Sequence, residues 1–168
     1  MKSLFLSVAL ITIGCANPPN TTTRALELPA HIDTAALTDG QSNVAYYAAN
    51  EWLEATGGTV DLTTGAGAPV PIVNRYIDPK HNGFTHRDGE AFDMWVDFDS
   101  TTDDMRSVGV VMHELGHVLG LPHVDGTLMD GRFSPTPCID ALSLHAVCER
   151  YGCGPTAHAT CPSDGQAR

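Results

Sequence analysis

The eleven residues 113–123, HELGHVLGLPH, hold three histidines, one glutamate and two glycines. His113 and His117 are four residues apart, so on a helix they share a face and can aim two imidazole nitrogens at one point. Zinc binds such nitrogens in a roughly tetrahedral arrangement, and a catalytic zinc has three protein ligands and one open position. His123 is the candidate third ligand, because Gly120 can end the helix and turn the chain back at little steric cost.

Glu114 follows the first candidate ligand directly. A carboxylate there could take the proton of a water activated by the zinc and pass it to the leaving amine. The pattern therefore predicts hydrolysis of a polarised carbonyl, with Glu114 as the general base. A helix that is rich in histidine by coincidence is the alternative, but five fixed residues in eleven positions match by chance only on the order of 1 in 10,000.

The composition predicts a single domain that does not bind nucleic acid. The chain has 168 residues, enough for a single domain with its own core, and 42% of them are hydrophobic. Its formal charge of −11 repels phosphate backbones, so we expect no nucleic acid among its partners. We expect a monomer.

The N-terminus predicts export. The stretch MKSLFLSVALITIG has a basic tip and a short apolar run, as in a signal peptide. TIGC, ending at Cys15, resembles a bacterial lipobox, whose cysteine is lipidated and anchors the protein to the membrane; ordinary cleavage after Ala16 is the alternative. We interpret 1–15 as signal peptide and lipobox and 16–25, rich in Pro, Asn and Thr, as a tether.

Four cysteines lie near the C-terminus: Cys138, Cys148, Cys153 and Cys161. An even number in an oxidising compartment predicts two disulfides, with three pairings open. A four-thiolate zinc site is the alternative, although the usual Cys-x-x-Cys pairs are absent.

The hydrophobic pattern predicts an α+β fold. Strands are expected at 25–32, 58–64, 70–77 and 91–99, and a polar loop at 78–90. Helices are expected at 42–57, 100–120 and 138–152. Trp52 is expected in the core, and Thr101 with Asp104 suits a capped start of the second helix.

The spacing His-Glu-x-x-His-x-x-Gly-x-x-His over 113–123 resembles the extended zinc signature of the metzincin metallopeptidases. Met129, in GTLMDG, corresponds to the methionine that this family carries in a tight turn beneath the metal. The resemblance implies one catalytic zinc held by three histidines, with Glu114 as base. It also implies a twisted mixed sheet, an active-site helix, a Met-turn and a C-terminal helix.

Within that family the chain is most similar to small bacterial matrixin-like enzymes. Gly131 stands where astacin-like and serralysin-like enzymes have a tyrosine, and Val124 where reprolysin-like enzymes usually have an aspartate. A closing helix that ends in Tyr151-Gly152, with Asp140 near its start, resembles the matrixins. We therefore assign 26–153 to the metallopeptidase domain and 154–168 to a disulfide-linked tail.

Matrixins commonly carry further metals, and two groups of residues could hold them here. A second zinc could involve loop residues, although ordinary polar loop residues are the preferred interpretation: His81, His86 and Asp88. Calcium could bind acidic side chains, although a solvated acidic face is preferred: Asp97, Asp99, Asp103 and Asp104.

The resemblance predicts a zinc-dependent endopeptidase that cleaves extracytoplasmic proteins or peptides. It implies that substrate pairs with the main chain of the strand at 91–99 and that 131–137 line the pocket after the cut. A non-catalytic cell-surface binding protein, with a structural zinc and the tail as its interaction module, is the alternative. Glu114 argues against it, because a structural site needs no base.

Overall fold

In the part of the chain that the structure describes, five strands and three helices form the fold. The computed structural model describes residues 26–65, 70–77, 81–88, 91–99, 104–132 and 137–162, so the predicted signal peptide and tether lie outside the described residues, as does Thr101. The elements in chain order are β1 (Ala30–Asp33), α1 (Asp39–Ala55), β2 (Leu62–Gly65), β3 (Val70–Asn74), β4 (Gly83–Asp88), β5 (Ala91–Val96), α2 (Asp104–Val118) and α3 (Ala141–Tyr151).

The strands form one mixed sheet in the order β2-β1-β3-β5-β4. The pairings of β1 with β2 and β3, and of β3 with β5, are parallel, whereas β4 pairs with β5 in antiparallel register, with Thr85 opposite Met94. The predicted α+β class, with a mixed sheet and three helices, is confirmed.

The predicted polar loop at 78–90 is wrong in part, because β4 occupies its middle. The sequence GFTHRD has only one large apolar residue, and the strand lies at an edge of the sheet, so no run of hydrophobic residues marks it. The prediction that substrate pairs along β5 is also wrong. That strand lies between β3 and β4, which already occupy its two sides, and β4 is the edge strand there among the described strands.

The core lies where α1 and α2 pack together and against the sheet. Thr38 caps α1, since its hydroxyl accepts from the Gln41 main chain while the Gln41 side chain accepts from the Thr38 main chain. Trp52 is fully buried, as predicted, and its indole Nε1 donates to the carbonyl of Met112 at 3.1 Å. This bond ties α1 to α2 one residue before the first histidine of the candidate site.

The cysteines form two disulfides, Cys138–Cys161 and Cys148–Cys153. The prediction of two disulfides is confirmed, the pairing is now defined, and the four-thiolate alternative is wrong because all four thiols are paired. The described part of the tail lies on the domain: the main chain of His158 donates to Ala55 at the end of α1, and that of Cys161 donates to Ile139.

Disulfides are typical of an oxidising compartment outside the cytoplasm. None of the helices in the described ranges combines the length and the apolar character that crossing a membrane requires.

Candidate metal centre

Helix α2 carries three chemically active side chains in its last two turns. His113 and Glu114 are 5% and 2% exposed, and His117, one turn later, is partly buried. The apolar residues of α2 pack against α1 and the sheet, which fixes the rotation of the helix about its axis. The same packing that buries the helix therefore decides where these polar side chains lie.

Gly120 ends α2 and turns the chain, as predicted. Its φ is +88°, a conformation that glycine adopts without the steric cost of a Cβ. The main chain of Gly120 donates to His117 and that of Leu121 donates to Gly116, each at 2.9 Å, which satisfies carbonyls left open at the helix end. The Arg150 guanidinium of α3 donates to the Gly120 carbonyl at 3.3 Å. This turn brings His123 back to the side chains of α2.

The three histidines, hereafter the histidine triad (His113, His117 and His123), converge on one point. Nε2 of His123 lies 3.3 Å from Nε2 of His113 and 3.0 Å from Nε2 of His117. One ligand atom from each ring lies within 4.8 Å of the others. Two nitrogens about 2.0–2.1 Å from one tetrahedral ion are roughly 3.4 Å apart, so the spacing suits a single small ion.

Backbone carbonyls determine which nitrogen of each helical histidine carries the proton. Nδ1 of His113 lies 2.8 Å from the carbonyl oxygen of Leu128, and Nδ1 of His117 lies 2.9 Å from that of Leu121. A carbonyl oxygen only accepts, so each neutral ring must carry its hydrogen on Nδ1. Nε2 of both rings then presents a lone pair to the shared point, which is the form that binds a metal ion.

The same burial keeps the imidazoles neutral at physiological pH. Burial lowers the pKa of His113 to about 4, although the bond to Leu128 acts in the opposite direction. Burial, followed by the neighbouring His113, lowers the pKa of His117 to about 3. Burial also lowers the pKa of His123. The histidine triad is therefore available to a cation without first losing protons.

A tight turn that holds Met129 packs against α2 at Gly116. Met129 is buried, and the main chain of Val124 donates to its carbonyl at 3.0 Å. A Cβ added to Gly116 would lie 2.4 Å from the Met129 sulfur, so the turn approaches α2 where that helix has no side chain.

Asp140 holds that turn in place. Its carboxylate accepts from the main chain of Leu128 at 2.8 Å and also caps α3 by accepting from the main chains of Leu142 and Ser143. The Leu128 peptide group thus joins Asp140 on one side to the His113 ring on the other. The sequence pointed to Asp140, but it gave no sign of the Leu128 and Leu121 carbonyls, because main-chain acceptors have no residue-type signal.

Glu114 lies against the edge strand. The Thr85 hydroxyl donates to its Oε2 at 2.6 Å, and a Cβ added to Gly83 would lie 2.3 Å from its Oε1. Burial raises the pKa of Glu114 to about 8, although the bond from Thr85 acts in the opposite direction. Sequence reasoning missed Thr85 and Gly83, because it treated their segment as a loop.

The other predicted metal ligands are not gathered into such a group. Within the described ranges, the histidine triad is the one set of three or more His, Cys, Asp or Glu side chains close enough to hold an ion. His86 and Asp88 lie on β4 and are exposed, and Asp97 is buried after β5. Asp103 and positions 133–136 of the predicted pocket lie outside the described residues.

No protein-family model matches the sequence, and no curated protein matches it. The function must therefore be argued from the residues of the site.

Proposed function

We propose that the protein is a zinc-dependent metalloendopeptidase of the metzincin type, similar to the small matrixin-like enzymes. The observation that carries the proposal is the convergence of three imidazole Nε2 atoms, together with a buried glutamate that directly follows the first of these histidines in the sequence. A structural zinc site usually has four protein ligands, and within the described residues the group has three. Three ligands leave a position for a reacting molecule.

In the proposed reaction, different residues would bind the metal ion and transfer the proton. The histidine triad would hold the ion, and the carbonyls that bind Nδ1 of His113 and His117 leave a lone pair on Nε2 of both rings. When bound, zinc supplies Lewis acidity that polarises a carbonyl and makes water more acidic, and its charge favours the ionised form of Glu114. Glu114 would then take the proton of the attacking water and give it to the leaving amine.

The proposed substrate is an extended polypeptide. Strand β4 is an edge of the sheet, and Gly83 and Thr85 on it touch the carboxyl of Glu114. An extended peptide can add to an edge strand through main-chain hydrogen bonds, and here such pairing would carry the peptide past the proposed base. Polypeptides outside the cytoplasm are the natural candidates, reached from a lipid anchor at Cys15 or by the secreted protein. We propose no nucleic-acid partner and a monomeric enzyme.

The first prediction tests the proposed base. In Glu114→Gln the carboxylate is lost while the shape is nearly kept, so we expect casein cleavage to fall by about 100- to 10,000-fold with zinc still bound. Cleavage and zinc content are measured on the same purified protein. Glu54→Gln, at an exposed position on α1, is the matched control and should behave as wild type.

Chelation supplies the second arm of that experiment. Wild-type activity should disappear with a zinc chelator and return on adding zinc. Undiminished cleavage by Glu114→Gln would reject the assigned base. A wild-type protein that binds one zinc yet cleaves no member of a broad peptide library would favour the alternative of a binding protein with a structural zinc.

A further inference from the structure

Thr85 makes a specific contact with the side chain that the proposed reaction needs. Its hydroxyl lies 2.6 Å from Oε2 of Glu114 and 3.3 Å from the main-chain oxygen of the same residue. A hydroxyl has one proton to donate, and the shorter distance assigns it to the carboxyl. The bond joins the edge strand β4 to the C-terminal half of α2.

Contacts with β4 on both oxygens restrict the position of the Glu114 carboxyl. Oε2 takes the hydrogen bond of Thr85, and Oε1 lies beside the Cα of Gly83, where a Cβ would clash at 2.3 Å. A glutamate side chain has several rotamers, and a hydrogen bond to one oxygen with close packing at the other selects among them. The orientation of the carboxyl thus depends on two residues of the edge strand.

We propose that Thr85 is a positioning residue, whose hydroxyl holds the Glu114 carboxyl in the orientation required for proton transfer. The inference rests on the proposed function and extends it from the base to the strand that carries the substrate. Thr85 is not a metal ligand and does not exchange protons with substrate. Its removal should therefore lower the rate of the chemical step and leave zinc binding unchanged.

The test compares three variants by steady-state kinetics on one fluorescence-quenched peptide that the wild-type enzyme cleaves. Thr85→Val keeps the shape and removes the hydroxyl, and Thr85→Ser keeps the hydroxyl. Thr64→Val makes the same change on β2, at the opposite edge of the sheet, and serves as the matched control. Zinc affinity is measured by chelator competition on each protein.

We expect kcat of Thr85→Val to fall by about 10- to 100-fold with KM changed by less than about threefold. The kcat of Thr85→Ser should be within about threefold of the wild-type value, and the kcat of Thr64→Val should equal the wild-type value. A purely structural role would lower the thermal midpoint in parallel with kcat.

A crystal structure of zinc-loaded Thr85→Val gives a readout that does not depend on activity. We expect the Glu114 side chain to leave the position beside β4 or to occupy more than one conformer. A single unchanged conformer, or a kcat within twofold of wild type, would overturn the role of Thr85. Absence of cleavage by the wild-type protein would instead count against the proposed function, and the crystal structure would still test the positioning.

Discussion

At the residue scale, two backbone carbonyls and one glycine control what the histidine triad can bind. The carbonyls of Leu121 and Leu128 take the Nδ1 protons of His117 and His113, which leaves Nε2 free for an ion. Gly120 then supplies the turn that brings the third ring to the other two. None of these three groups is a ligand, yet the ligand geometry depends on all of them.

Gly120→Ala tests this dependence. Alanine at this position would have to adopt a φ of +88°, and its Cβ would lie 2.3 Å from the Arg150 guanidinium. We expect a loss of about 1–2 kcal/mol in the free energy of unfolding of the apoprotein and a zinc affinity about tenfold lower. Urea unfolding and zinc titration measure the two effects.

Gly40→Ala is the matched control for that variant. Gly40 lies in α1, and a Cβ there would meet nothing within 4 Å. We expect this change to stabilise the protein by about 0.4–1 kcal/mol. Equal effects of the two substitutions would contradict the role of the turn.

At the element scale, α3 serves as the support of the turn that holds Met129. Asp140 both caps this helix and binds the Leu128 main chain, so one carboxylate joins the start of α3 to the floor of the site. Tyr151, at the other end of the helix, donates to the Leu119 carbonyl at the end of α2. Both ends of α3 are thus tied to the segment that carries the histidine triad.

Asp140→Ala should be strongly destabilising. It removes a helix cap, which costs about 1 kcal/mol, and leaves the Leu128 N–H without its acceptor, which costs about 1–3 kcal/mol more. We expect a total loss of about 2–4 kcal/mol at pH 7 by urea unfolding. Asp39→Ala, in the exposed first turn of α1, should cost less than about 0.5 kcal/mol.

The effect of Asp140 should depend on pH. Burial alone would raise the pKa of its carboxyl, but hydrogen bonds from Leu128, Ser143 and Leu142 hold it below the 3.8 of an exposed aspartate. A group with a lowered folded-state pKa stabilises the fold above its unfolded pKa, and that contribution is lost as the pH falls through the folded value. The stability difference between wild type and Asp140→Ala should be constant from pH 7 to 5 and shrink below about pH 4. A difference that grows on acidification would contradict this account.

At the scale of the whole molecule, two disulfides and the tail hold the C-terminal part of the domain together. The two cysteines of the Cys138–Cys161 bridge are 23 positions apart in the sequence, and those of the Cys148–Cys153 bridge are 5 positions apart. The main chain of Thr160 donates to the carbonyl of Ile139, just before α3, and the main chain of Ile139 donates to the Thr160 hydroxyl. The described part of the tail therefore belongs to the packed domain.

Removing each disulfide separately should show how loop length affects the free energy of unfolding. The paired change Cys138→Ser and Cys161→Ser should cost about 3 kcal/mol of unfolding free energy, and Cys148→Ser with Cys153→Ser about 2 kcal/mol, because the longer loop restricts the unfolded chain more. Urea unfolding of both variants measures this. A larger loss from the shorter loop would show that native-state contacts outweigh the loop entropy.

The sequence by itself identified the residues of the candidate metal site and the main helices. The spacing of His113, Glu114 and His117 follows from the helical repeat, and the turn at Gly120 from the freedom of a residue without Cβ, so both are local properties that sequence reasoning can recover. The paired cysteines and the burial of Trp52 were predicted for similar reasons.

The tertiary structure alone decided which strand forms the edge of the sheet, which cysteines pair and what surrounds Glu114. Strand β4 has no hydrophobic run to mark it, and its position follows from pairing with β5. Thr85 meets Glu114 across 29 positions of sequence, and the Leu128 carbonyl meets His113 across 15. Contacts between distant segments, and contacts made by the main chain, depend on how the elements pack, and residue types and local spacing do not encode them.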